Sequence, residues 1–292
     1  MEIIKNLEEK LLNSWRSADF DQSVFSSLAV NLLRELDFPD PLRLLKATLT
    51  HLPFSHQNHQ RGVFADIPFT IIKNQYFSID LFFWFHSHTS IHDHPFSGAF
   101  KILKGSSKHL VYNFEEINQL EPWLFKGNLK LVKQEKIFAG DVQEIVSGFD
   151  YIHQVLHLEK PTVTLVLKSA KDVEFRDYLY PNFGWVDRYP RSEFFKKLSM
   201  VSSYFKYNYK SDPEACHRVL QGVFEFIPAH DLFLMTYNYP PLYRGAEFDL
   251  ALEALIKSDV LRFPWYDDIK NARLSHKQFI SSQKLFEEFR CE

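Results

Sequence analysis

Apolar positions recur at helical spacing from the start of the chain. Ile3, Ile4, Leu7, Leu11, Leu12 and Trp15 fall on one stripe, and Leu28, Val30, Leu32, Leu33 and Leu36 form another before Pro39 and Pro41 break the pattern. From about Gly62 to Ser169 the period changes. Short apolar runs (Phe69–Ile72, Phe77–Phe85, Ala99–Leu103, Leu110–Phe114, Leu129–Val132, Val142–Val146 and Val163–Leu167) are separated by Gly, Asn and Asp. Their β-branched and aromatic enrichment predicts short strands closing a sandwich or small barrel. Helical spacing returns from Arg191. Ser211 or Asp212 is a candidate cap with Pro213 in its first turn, and Phe248–Ile256 is a second amphipathic run. An aromatic loop, Tyr237–Tyr243, lies between them. The expected organisation is a helical segment over 1–55, a β-barrel over 56–175 and a second helical segment over 176–292.

Composition narrows the class. The chain has 292 residues, of which 16% are aromatic, including 29 Phe. That much ring surface does not stay solvated, so disorder is excluded as a description of the whole. The 34 basic and 37 acidic residues are interspersed, leaving a net charge of −3. No basic stripe is present to neutralise phosphates, and nucleic acid is not an expected partner. Two cysteines, Cys216 and Cys291, make no disulfide framework. The most apolar stretch, Tyr76–Phe85, is interrupted by Ser78 and Asp80. It falls well short of the roughly 20 residues of a spanning helix. The start of the chain lacks the apolar core of a signal peptide, so a cytoplasmic protein without a membrane partner is expected.

The candidate chemistry lies in the histidines. Of 13, five fall between positions 86 and 109: His86, His88, His92, His94 and His109. Two histidines at i and i+2 on a strand share a face, so the rings of His92 and His94 can converge on one metal ion. Pro95 marks a turn into a strand from Ala99, read as a hairpin returning across the barrel. Neutral imidazole suits Zn, Fe, Cu or Ni, so the pair does not name the metal. A third ligand belongs on a later strand facing the same space. His153 is the candidate, following the turn signals Gly140, Asp141, Ser147 and Gly148.

This two-part arrangement resembles the cupin superfamily. His92, His94, Gly98 and Gly105 match the spacing of the first cupin motif, with Gly98 in the place of its glutamate. Gly140, Gly148 and His153 follow the second with two extra residues before His153, with His157 where the motif has asparagine and Val146 where it has proline. Three histidines without the glutamate are the pattern of the thiol dioxygenases, of the cysteine and aminoethanethiol types. Ser90 to His94 is similar to the cysteine dioxygenase metal segment. His92 to Pro95, with Gly98 and Lys101 to Gly105, is similar to the aminoethanethiol type, and His153 followed by Pro161 to Ser169 resembles the third-ligand segment and closing strand. The resemblance covers residues 62–170 or so. It implies a mainly β fold, a cupin-type double-stranded β-helix or jelly roll flanked by N- and C-terminal helices. It also implies a metal centre of His92, His94 and His153.

The groups that read cysteine in that family are not matched. Its substrate-binding arginine would fall within Pro68–Asn74, which holds only Lys73, and Arg61 does not fit the spacing. Gly98 excludes the family's cysteine–tyrosine cross-link, and its Ser-His-Tyr relay reads Thr164, Val166 and Lys168. The resulting expectation is a mononuclear non-haem Fe(II) oxygenase acting with O₂ on a small molecule other than free cysteine. A metal-binding cupin without oxygenase activity, using Zn, Ni or Mn as an isomerase, hydrolase or sensor, is the alternative. Tyr151 and His157 are candidates to orient a ligand or handle a proton. His88, Trp84, Phe96, Phe100 and Lys168 are candidates to line the substrate pocket. The aromatic C-terminal segment is expected either to shape substrate entry or to act as packing.

Overall fold

A computed structural model of the chain describes residues 2–38, 40–43, 45–46, 65–85, 88–170, 174–186, 193–238, 246–259 and 262–288. Its strands are β1 (Ile67–Lys73), β2 (Phe77–Trp84), β3 (Ile91–His94), β4 (Gly98–Lys104), β5 (Ser106–Glu121), β6 (Leu124–Phe138), β7 (Val142–Ile145), β8 (Gly148–His157), β9 (Thr162–Ser169), β10 (Arg176–Leu179) and β11 (Phe183–Val186). One sheet has the order β1-β2-β9-β4-β7, and the other closes on itself in the order β10-β11-β6-β5-β8-β3. Without β1, β10 and β11, the strands divide as β2-β9-β4-β7 against β3-β8-β5-β6. Eight strands alternating between two sheets in this way form a jelly roll. The fold is therefore a cupin-type double-stranded β-helix with helices toward both ends of the chain.

Strand alternation assigns each face of the first sheet. Phe77, Ile79, Leu81 and Phe83 of β2, Ala99 of β4, and Val163, Leu165 and Leu167 of β9 join a core with two N-terminal helices. Those helices are α1 (Glu2–Arg16) and α2 (Gln22–Glu35), which present Leu7, Leu11 and Trp15, and Phe25, Ala29 and Leu33. A 15-residue helix is marginal alone in water, and burying each large apolar side chain contributes about 1.5–3 kcal/mol, so the stripe holds α1 in place. Asp21 caps α2 by accepting from Ser23 N at 2.9 Å. Lys101 closes the other end, donating from Nζ to the Leu33 and Leu36 carbonyls at 2.9 and 2.6 Å. Cations at a helix C-terminus complement its dipole. The opposite face of the sheet carries Phe82, Trp84, Phe100, Ile102 and Val166, which pack with Val155 of β8 between the two sheets.

Two expectations from sequence are corrected. The hairpin across Pro95 does not form, because β3 pairs with β8 and β10 while β4 pairs with β7 and β9. β4 buries Ala99 against the helices and Phe100 between the sheets. It must therefore lie in the sheet covered on both sides, and Pro95 carries the chain across. In addition, β5 and β6 run 16 and 15 residues, far beyond their apolar runs. Their outer parts are mostly exposed, so no buried face imposes an apolar pattern there.

The chain separates into two compact units. The first comprises Met1–Ile117, Gly127–Tyr178 and Gly184–Val186, so α1 and α2 belong with the sheets. The second comprises Asn118–Lys126, Leu179–Phe183 and Asp187–Glu292. It holds α3 (Glu193–Asn208), α4 (Pro213–Phe224), α5 (Ala229–Asn238), α6 (Ala246–Ser258) and α7 (Tyr266–Glu288). Asp212, rather than Ser211, caps α4, with Ala215 N donating to it at 2.9 Å and Pro213 in the first turn. Phe205, Leu220, Phe233, Phe248 and Phe263 are buried, whereas Tyr204 and Tyr207 are exposed. Trp123 packs edge-on against Trp265 and His230. Among the described residues no helix is long and apolar enough to cross a membrane. Of the aromatic loop expected over Tyr237–Tyr243, residues 237 and 238 instead end α5, and the rest lies outside the described residues, as do Arg61, His86, Tyr189 and Cys291.

Candidate metal centre

Three strands of the second sheet build the site. His92 of β3 stands directly opposite His153 of β8, and Val111 of β5 lies opposite His153 on its other side. His94 follows two residues along β3 on the same face. One nitrogen from each of His92, His94 and His153 lies within 4.8 Å of the others, and all three residues are buried. His94 Nε2 and His153 Nε2 are 2.8 Å apart. Adjacent donors about 2.1 Å from a common ion stand roughly 3.0 Å apart; the His94–His153 pair is already near that separation, and the other pairs, within 4.8 Å, close on an ion by drawing in.

The hydrogen bonds determine which nitrogens carry lone pairs. His92 donates from Nδ1 to the Ser90 carbonyl at 2.9 Å, which leaves Nε2 as its basic atom. Glu135 only accepts, so His109 donates to it from Nδ1 at 3.2 Å and presents an unprotonated Nε2. His153 donates from Nδ1 to that nitrogen at 3.0 Å, and its own Nε2 is left with a lone pair facing His94. Burial holds the His153 ring well below its ordinary 6.5, and His94, His92 and His109 depress it further. Neutral imidazoles with converging lone pairs are the form a divalent cation takes up. A proton or a cation must lie between two such nitrogens at 2.8 Å. The residues present fit a three-histidine metal site.

Asp93 lies between the two β3 ligands but points to the other face of the sheet, fully buried. It accepts from Arg176 N at 2.7 Å and from the Tyr178 hydroxyl at 2.9 Å, tying β3 to β10. Desolvation pushes its carboxyl up to about 7, against the lowering by these two donors.

The remaining sequence candidates fall in distinct places. The Tyr151 hydroxyl stands 3.3 Å from His109 Nε2, so it supports His109 rather than a ligand directly. Burial raises its pKa above the ordinary tyrosine value. His157 pairs through Nδ1 with Ser107 Oγ at 2.9 Å and stacks on Trp84 at 4.3 Å. Burial pushes it down to about 3, so it stays neutral. His88 accepts from the His157 backbone N at 3.0 Å and is not part of the triad. Phe100 lies 6.0 Å from the His153 ring, and Phe96 lies 4.8 Å from the His94 ring. Trp84 donates to Thr164 Oγ1 at 3.1 Å. Lys168 pairs with buried Asp80, which also accepts from Thr70 Oγ1 at 2.6 Å. Its ammonium lies over the rings of Phe82 and Phe96 at 5.7 and 5.5 Å. Lys73, in the segment where the family has its arginine, is exposed at the end of β1.

His109, counted in the histidine cluster but given no role there, Glu135 and the Ser90 carbonyl are the contributors sequence reasoning missed. The signal for Glu135 is slight: it shares strand parity with buried Ile137 in an otherwise charged run. Gly98, the glutamate position of the motif, has no room for a side chain, because a Cβ there would lie 2.0 Å from the Leu167 carbonyl oxygen.

No protein-family model matches the chain, and no curated protein matches it in sequence. Among solved structures, it is similar to a cupin superfamily protein from Desulfitobacterium hafniense DCB-2, with 13% identity and a TM-score of 0.26, covering 46% of this chain and 92% of that one. A conserved Klebsiella pneumoniae protein with a double-stranded β-helix domain gives 12% identity and a TM-score of 0.26, covering 40% and 81%. The DMSP lyase DddQ from Ruegeria pomeroyi DSS-3 gives 16% and 0.28, covering 39% of this chain and 52% of that one. At such scores no activity passes from those proteins to this one.

Proposed function

We propose that this protein is a mononuclear non-haem iron(II) oxygenase of the three-histidine cupin type, acting with O₂ on a small molecule. The observation that carries the reading is the donor set: three buried imidazoles on one face, with burial holding His153 neutral and no room for a side chain at Gly98 to add a carboxylate. Three facial nitrogens leave about three positions of an octahedral ion for substrate and O₂, whereas a structural zinc site is closed by four protein ligands. When bound, iron(II) supplies the electrons that activate O₂.

The chain's own residues supply position and dryness. Ser90 and the Glu135–His109 pair orient His92 and His153. Phe96 and Phe100 cover the imidazoles and keep bulk water away from them. Lys168 is committed to Asp80, and no arginine stands in β1. A substrate carboxylate buried here would find no charge-assisted, bidentate partner on β1 or from Lys168 among the described residues. The substrate class we propose is a thiol or amino-acid derivative larger or less acidic than cysteine.

Anaerobic reconstitution with Fe(II) tests this. We expect one iron per chain, a nitric oxide adduct with the spectrum of an open site, and O₂ consumption with a member of a small-thiol panel. A tightly held four-coordinate Zn indifferent to O₂ would overturn the oxygenase reading in favour of a non-redox cupin. Absence of stoichiometric metal would overturn the centre itself.

A further inference from the structure

We propose that Glu135 and His109 act as a positioning relay that fixes the tautomer and ring plane of His153, making it a stronger metal donor than its bare imidazole. The inference rests on the metal-site reading above. In the β5–β8 register His109 lies opposite Val155, and Val111 lies opposite His153, which places His109 diagonal to His153 on one face. Diagonal neighbours are within reach of long or ring side chains. Here the two rings meet at 89° with centroids 5.2 Å apart, so an edge nitrogen of one meets an edge nitrogen of the other.

The direction of the chain follows from its far end. Glu135 accepts, His109 passes its Nδ1 proton toward the carboxylate, and His109 Nε2 then receives the Nδ1 proton of His153. Lys133 holds the carboxylate from outside at 2.8 Å, and it sits at the partly exposed end of the relay. His92, by contrast, rests on a neutral backbone carbonyl. Core packing does not account for His109. It is 1% exposed against the edge of Phe100, where an apolar side chain would avoid the desolvation of two ring nitrogens. Both of those nitrogens are instead used, Nδ1 on Glu135 and Nε2 on the ligand His153, with the Tyr151 hydroxyl also 3.3 Å from Nε2. Anionic support of this kind raises ligand basicity, and its loss typically costs 10–100-fold in metal affinity.

The test uses the full chain and competition for Zn(II) and Co(II) against a chelator of known affinity. It is combined with long-range ¹H–¹⁵N correlation of the histidine rings, which reads each tautomer. His109→Phe is expected to bind about 10–100-fold more weakly and to lose the single His153 tautomer. His109→Gln, whose amide oxygen accepts from His153 and whose amide nitrogen donates to Glu135, is expected to restore most of the affinity. If His109→Phe does not fold, Glu135→Ala carries the test from the partly exposed end, with an expected loss of about tenfold. Variants that fold, keep the His153 tautomer and bind within about threefold of wild type would overturn the relay while leaving the metal centre standing. Wild-type protein that binds neither ion would overturn both.

Discussion

Restoring the glutamate of the cupin motif at Gly98 should disrupt this protein rather than improve its metal site. A Cβ at that position would lie 2.0 Å from Leu167 O, 3.1 Å from Leu167 C and 3.4 Å from Lys168 Cα. All three are backbone atoms, so no side chain can rotate away. Gly98 is opposite Lys168 on one side and Ile145 on the other, so β4 cannot move from β9 without pressing on β7. Overpacking of this kind costs about 1–3 kcal/mol, sometimes more, and each ladder hydrogen bond lost as the strands part costs about 1 kcal/mol. For Gly98→Ala we expect a loss of about 2–5 kcal/mol, a large share of a typical domain stability of about 5–15 kcal/mol. Urea unfolding of Gly98→Ala and Gly98→Glu is the assay, with metal binding of the folded fraction measured alongside. The ligands lie on β3 and β8, so that fraction of Gly98→Ala should bind metal as wild type does. An alanine variant with the wild-type midpoint, or a folded glutamate variant that holds metal more tightly, would refute the reasoning.

Alanine at His92, His94 or His153 should each abolish stoichiometric metal by elemental analysis, whereas His88→Ala should reduce affinity by no more than about 10–100-fold. Asp93→Ala strands the buried Tyr178 hydroxyl and the Arg176 N–H, which predicts a loss of about 2–5 kcal/mol. Asp93→Asn, which can still accept from one and donate to the other, should lose under about 1.5 kcal/mol in the same denaturation experiment. His276 accepts from Tyr180 N, and burial pushes it from its ordinary 6.5 to about 4. The unfolded chain therefore takes up this proton first, and stability present above pH 6.5 is lost as pH falls toward 4, by up to about 3 kcal/mol. His276→Gln should flatten the unfolding midpoint against pH in that window, and an unchanged slope would count against the assignment. Oxygen uptake with free cysteine should stay at background in an electrode assay, and saturable turnover to the sulfinic acid would contradict the substrate reading.

Strand alternation, the pairing of His92 with His94 and the candidacy of His153 were all legible along the chain, because strand geometry is local. Side chains at i and i+2 share a face wherever the strand lies, so the split of β2 into Phe77, Ile79, Leu81 and Phe83 against Phe82 and Trp84 needs no partner to be read. The turns before β7 and β8 were marked in the same way by Gly140 and Gly148, which adopt positive φ of 101° and 85°. The partners were not legible. Glu135 is 26 positions from His109, His109 is 44 from His153, and Lys101 reaches back 68 to the end of α2. Each of those meetings depends on the register between separated strands or on where a helix crosses a sheet. The assignment of β3 and β4 to opposite sheets belongs with them, since one four-residue strand and a proline fit a hairpin or a crossing equally well. Only burying both faces of β4 at once decides for the crossing, and that choice brings Phe100 over the histidines.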